Sequence, residues 1–238
     1  MTIPEIKAGL ASRLLAWGVH LFTASGVITV FMALLSVSEG RLHIAMLWLV
    51  AAQFIDGVDG TLARRFRVSE VLPYMSGKNI DFVIDFAAYA IVPTYMIYES
   101  GLISGGWNLA CAFLILMVSA IYYGKDGMVT EDHYFVGFPV MWNMAAFYMI
   151  FVFHWGHWAN VILVIGLSIL HFIPIKFIYP SRTARLRWIS LAITAVAILA
   201  ALGILYYYPE AQPLLNGIVC LALFYYGGFA LWVTYIKP

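Results

Sequence analysis

The chain has 238 residues, 63% of them hydrophobic and 11% charged, with a formal net charge of +1. A soluble globular domain carries about half apolar and about a quarter charged residues, so this balance marks a membrane protein. Nucleic acid is excluded as a partner, because no basic domain or tail is present to pair with phosphates.

From the N-terminus, Thr2 to Arg13 reads as a short amphipathic helix lying along the membrane interface. Eight transmembrane helices then follow, each near the 20 apolar residues that cross a hydrocarbon core of about 30 Å. They are expected at 16–38, 42–62, 80–99, 102–123, 138–154, 158–178, 186–207 and 213–235. The fifth is short, and its border with the sixth falls in FHWGHW, 153–158. The first apolar run is one of many, so it does not read as a cleavable signal peptide. No repeat or long linker interrupts the pattern, which predicts an all-α integral membrane protein with one domain, 1–238. Cys111 and Cys220 lie inside apolar runs without metal-ligand spacing and read as packing residues.

Charge sets the direction. With eight spans and a cytoplasmic N-terminus, Lys7, Arg13, Arg64, Arg65, Arg67, Lys78, Lys125, Lys176, Arg182, Arg185, Arg187 and Lys237 all fall on the cytoplasmic side. Only Arg41 falls on the other, as the positive-inside rule requires. Both termini are then cytoplasmic. Trp107, Trp155, Trp158, Trp188 and Tyr206 to Tyr208 suit the interfacial aromatic belts.

Ionisable residues within spans are costly and are functional hypotheses by default. Four aspartates sit at the cytoplasmic ends of the second and third spans, in Asp56-Gly57-Val58-Asp59-Gly60 and Asp81-Phe82-Val83-Ile84-Asp85. Three- and four-residue spacings put each pair on one helix face. The third span starts on the side where the second ends, so the two faces can meet. Four facing carboxylates repel unless neutralised, and hard divalent cations with oxygen ligands do that. Gly60 and Ala63 open the helix surface to a ligand or to a neighbouring helix, and Arg64 offers a cation to a phosphate.

The pattern D-x-x-D-G-x-x-A-R, then G-x-x-x-D-x-x-x-D, occurs here as Asp56, Asp59, Gly60, Ala63, Arg64, Gly77, Asp81 and Asp85. It resembles the signature of the CDP-alcohol phosphotransferases, and HLFTASG in span one is similar to that family as well. The spacer Arg65 to Ser76, at twelve residues, is longer than the eight usual there. In that length, in FVGFPVMWN at 135–143 and in the eight spans, the chain resembles the bacterial phosphatidylcholine synthases.

The resemblance implies transfer of a phosphatidyl group from CDP-diacylglycerol to choline, in a bacterial inner membrane, with the site on the cytoplasmic side. It implies two Mn2+ or Mg2+ ions held by Asp56, Asp59, Asp81 and Asp85, with Asp59 and Asp81 bridging. Asp85 would take the choline proton, with Asp81 beside it in the catalytic pair. Asp56, Gly57, Gly60, Ala63, Arg64 and Gly77 would contact CDP, and a homodimer is expected. Choline's quaternary ammonium calls for an aromatic face. Trp142, with Asn143 beside it, is the first choice, followed by Tyr89, Tyr122, Tyr123 and Tyr179; Glu131 or Asp132 could add negative charge. Arg182 and Arg185 would meet the lipid-side phosphate or anionic lipids. The six histidines form no helical zinc pattern. Two alternatives stay open: a family member using another acceptor, such as serine, inositol phosphate or glycerol phosphate, and a cation transporter. The transporter would want midplane polar residues in related halves, and the second half carries no matching acidic pair.

Overall fold

A computed structural model describes residues 9–180, 183 and 186–236. Among these, six helices are long and apolar enough to cross a membrane and two apolar helices are shorter. Arg182 and Arg185, expected at a phosphate, lie outside the described residues, as do positions 2–8 of the expected interfacial helix. The remainder of that segment is not separate: the first helix, α1, already runs Leu10–Ser38. The chain divides into two compact units, Met1–Pro93 and Thr94–Pro238.

The first unit is built on α1, on α2 (Leu42–Arg65), on the one-turn α3 (Val68–Val71) and on the start of α4 (Gly77–Glu99). α1 buries Ala16, Val19, His20, Thr23, Gly26, Val30, Ala33 and Val37, the three- and four-residue spacing of one helix face. That face is made largely of small residues, so α2 and α4 can approach it closely. At Gly26 a Cβ would come within 3.0 Å of Ile84 Cγ2, which sets how near α4 lies.

The spacer between the two acidic pairs is ordered. Arg67 adopts a left-handed conformation with φ 51°, which ends α2 and turns the chain. Val68, Val71 and Leu72 then join Ala16 and Val19 in an apolar cluster, with Leu62, Ala63, Phe66 and Met75 packed against it. Ser76 closes the segment by accepting the Asn79 backbone N–H at 3.2 Å, an N-cap for α4. Within α4 the residues Ala87–Ile91 form a widened π turn. Pro93 supplies the cause: it lacks an N–H, and its ring would crowd the carbonyl four residues earlier in a regular helix.

In the second unit α5 (Gly106–Tyr123) and α7 (His157–Leu170) run side by side, with α6 (Trp142–Phe153) between them in sequence. α8 (Arg187–Tyr207) packs on α9 (Pro213–Tyr235). Two three-residue strands, β1 (Tyr134–Val136) and β2 (Lys176–Ile178), pair antiparallel with Phe135 opposite Phe177. The fold is mostly helical, as expected of an all-α membrane protein, and the two short strands accompany a sixth span shorter than the expected 158–178. Its helix stops at Leu170, because Pro174 disfavours helical backbone at the residue before it and the chain beyond it pairs with β1. Gly137, at φ 85°, follows β1, and a Cβ there would collide with the His171 carbonyl. Only glycine fits this point of FVGFPVMWN.

Candidate active site

α2 buries Ala45, Leu49 and Ala52 along one stripe, and the same spacing carries Asp56 and then Asp59 onto that stripe. α4 contributes Asp81 and Asp85 one turn apart. α1 closes the third side with Thr23. These residues, with Ala52, Ile55, Ile84, Ala88 and Tyr89, line one cavity of the first unit. One carboxylate oxygen from each of Asp56, Asp81 and Asp85 lies within 4.8 Å of the others. Asp59 is 7% exposed, bonds the Thr23 side chain and borders Asp81.

The cavity volume is about 10 Å3, close to the least that holds one water-sized body. Three convergent carboxylate oxygens in so small a space form the hard donor set that Mg2+ or Mn2+ takes. The residues therefore fit a divalent cation.

The remaining signature residues are not part of the cavity lining. Gly57 is exposed and open, Gly60 is half-buried, and Arg64 is exposed with its guanidinium donating to Thr61 Oγ1 at 3.1 Å. Ala63 packs on the cluster under α1, so its small size also serves helix packing. The His20 ring lies against Gly77, where a Cβ would come 3.2 Å from its Cε1. Thr23 entered the sequence reading only as part of HLFTASG, without a role, although a polar residue in an apolar span, one turn beyond His20, was the available signal.

The expected acceptor residues divide. Tyr89 lies at the acidic cavity, its hydroxyl donating to Asp56 Oδ2 at 2.5 Å. Tyr122, Tyr123, Trp142, Asn143 and Tyr179 belong to the second unit. Trp142 is fully buried, and its indole N–H donates to Ser119 Oγ at 3.0 Å. It packs edge-on to His171 and Phe138 and shows no open face to a cation, contrary to its expected place as the choline platform. Tyr122 is likewise buried, with its hydroxyl on the Val136 carbonyl at 3.1 Å. Asn143 is buried, Tyr123 is half-buried, and half-buried Tyr179 stacks on Phe135 at 4.9 Å. Asp132 is engaged too: the Thr130 hydroxyl beside it holds its carboxyl below the usual carboxylate range, and Lys176 lies 3.9 Å away. Glu131 remains exposed in the same loop.

The CDP-alcohol phosphatidyltransferase family model matches residues 15–172, a stretch that contains every signature position. The chain belongs to the CDP-alcohol phosphatidyltransferase family. Three relatives, each called phosphatidylcholine synthase, show how far the likeness extends. The Rhizobium meliloti protein is 38% identical over 220 residues, 92% of this chain and 91% of its own length. The Pseudomonas aeruginosa protein is 36% identical over 217 residues, 91% of both. The Mesorhizobium japonicum protein is 42% identical over 179 residues, 75% of this chain and 66% of its own length, so the match spans just under two thirds of that relative. For a CDP-alcohol phosphatidyltransferase a divalent metal is the usual requirement, and the aspartate cluster is where this member can bind one.

Proposed function

We propose that the chain is a phosphatidylcholine synthase, transferring the phosphatidyl group of CDP-diacylglycerol to choline and releasing CMP. The observation that carries this is identity of 36–38% across nine-tenths of two proteins of that name, the signature carboxylates sharing one cavity. In the reaction the choline oxygen bonds the phosphorus that carries diacylglycerol. The bond from that phosphorus to the bridging oxygen breaks, and CMP leaves with the oxygen.

Asp56, Asp59 and Asp81 would hold one divalent ion, and Asp59, Asp81 and Asp85 a second. Bound there, such ions supply charge stabilisation to the attacking and leaving oxygens. The diphosphate would meet the carboxylates from the side of α2 on which Gly57 is open and Arg64 exposed. Asp85 accepts the choline hydroxyl proton. Thr23 holds Asp59 in place against its carboxylate neighbours. Gly60, Ala63, Arg64 and Gly77 bound the CDP part.

A site at the cytoplasmic face of a bacterial inner membrane lets the acyl chains stay in lipid while choline arrives from water. The positive-inside charge pattern supports that placement, eight crossings and cytoplasmic termini; a homodimer follows from the family resemblance. The test is product identity. Membranes containing the protein, given CDP-diacylglycerol, Mn2+ and labelled choline, should yield labelled phosphatidylcholine and CMP, and EDTA should abolish both. Incorporation of labelled serine or glycerol phosphate in place of choline would reassign the acceptor, and turnover in chelated membranes would remove the metal from the mechanism.

A further inference from the structure

The bond from the Tyr89 hydroxyl to Asp56 Oδ2 links α4 to α2 beside the acidic cavity, between residues 33 apart in sequence. At 2.5 Å it is a short O–H···O contact of the kind a charged acceptor makes. The shape of α4 brings it about. Four α-helical residues overshoot a full turn by about 40°, so Asp85 already lies round the helix from Asp81. A second regular step of four would carry Tyr89 further from the acidic face. The π turn Ala87–Ile91 advances less per residue, and Tyr89 lines the same cavity as the carboxylates.

We propose that Tyr89 is a positioning residue for the metal centre, fixing the orientation of the Asp56 carboxylate relative to those of Asp81 and Asp85. The proposal rests on the metal reading of the same cavity. It gives the hydroxyl a task separate from the aromatic face that choline would need, and the ring is only 8% exposed. A carboxylate that ligates a cation needs to be held, because free rotation would spread the ligand oxygen over several orientations. Partners of this kind, one bond removed from the ion, commonly change metal affinity about 10–100-fold when removed.

The test uses the full chain in detergent, with Mn2+ binding read from the paramagnetic resonance signal of the free ion. Tyr89→Phe keeps the ring and removes the hydroxyl. It should bind Mn2+ about ten-fold or more weakly and raise the Mn2+ concentration needed for half-maximal turnover by a similar factor. The choline KM should stay unchanged, and kcat should return toward wild type at saturating Mn2+. Tyr89→His, which keeps a ring N–H donor, should lose less affinity than Tyr89→Phe. Should Tyr89→Phe fail to fold, Tyr89→Leu, which also lacks the donor, replaces it, and a Mn2+ affinity equal to wild type there overturns the proposal. Equal affinity in wild type and Tyr89→Phe overturns it as well, as does a rise confined to the choline KM. If wild-type protein binds no Mn2+, the metal reading fails instead.

Discussion

Asp59 and Asp81 are the residues on which the proposed chemistry leans most. Asp59 is nearly excluded from water, and a buried carboxylate without compensation is costly by several kcal/mol. Its position makes sense when cations and the Thr23 hydroxyl supply that compensation. Asp59→Asn and Asp81→Asn preserve shape and remove charge. Each should leave membrane insertion intact and cut the rate of labelled phosphatidylcholine formation by more than about ten-fold, a loss above about 1.4 kcal/mol in transition-state stabilisation. Rates above a tenth of wild type would show that neither residue bridges ions. Trp142 belongs to a different class. Truncating a buried Trp costs about 3–5 kcal/mol through lost contacts and the cavity left behind. Trp142→Ala should lower the thermal midpoint of the detergent-solubilised protein, and any active fraction should show choline and CDP-diacylglycerol KM values moving together. A selective rise in choline KM would restore Trp142 to the acceptor site. All four aspartates were legible because charge inside an apolar span has few explanations. The aromatic assignments were not: with 16% aromatic residues, sequence cannot separate a ring that packs from one that faces a ligand.

At the scale of helices, the contact between Gly26 of α1 and Ile84 of α4 sets the distance between the elements that carry Thr23 and Asp85. Gly26→Val places atoms where Ile84 already stands, and overpacking of this kind costs about 1–3 kcal/mol. The displacement acts directly on α4 beside Asp85. Turnover should fall several-fold or more in Gly26→Val, and Ile84→Ala in the same chain should recover part of it, because the two substitutions share one space. Additive losses in the double variant would mean that the contact does not position the carboxylates. Helix starts and ends in this region were readable from polar breaks and proline. The twelve-residue spacer read only as a departure in length. Its one-turn α3 is too short to show periodicity, and its order comes from Val68, Val71 and Leu72 meeting Ala16 and Val19, a tertiary contact absent from local sequence. The π turn was hidden for a related reason. Pro93 predicts some disturbance of the helix, while the choice between a kink and a widened turn depends on what Tyr89 reaches.

For the molecule as a whole, the membrane class was evident from composition, and six of the eight expected spans correspond to long apolar helices. The fifth and sixth are shorter. Their neighbours show what the shortness means. At the start of α7 the Ser104 backbone N–H donates to His157 Nδ1 at 3.1 Å, and Trp158 meets Trp107 near the start of α5. At the other end His171 lies 5.4 Å from Tyr122, near the end of α5. α7 and α5 thus cover one depth, about 21–27 Å for 14 and 18 residues at 1.5 Å each. A typical hydrocarbon core is about 30 Å thick, and a shorter apolar length is met by thinning of the lipid around it. An apolar depth of this size predicts a match to a thin bilayer along this flank. Reconstituted into phosphatidylglycerol vesicles of graded acyl length, the protein should turn over fastest in the shorter-chain vesicles and slow as the chains lengthen, at constant surface substrate fraction. A flat response across chain length would mean that α5 and α7 are shielded from lipid by protein.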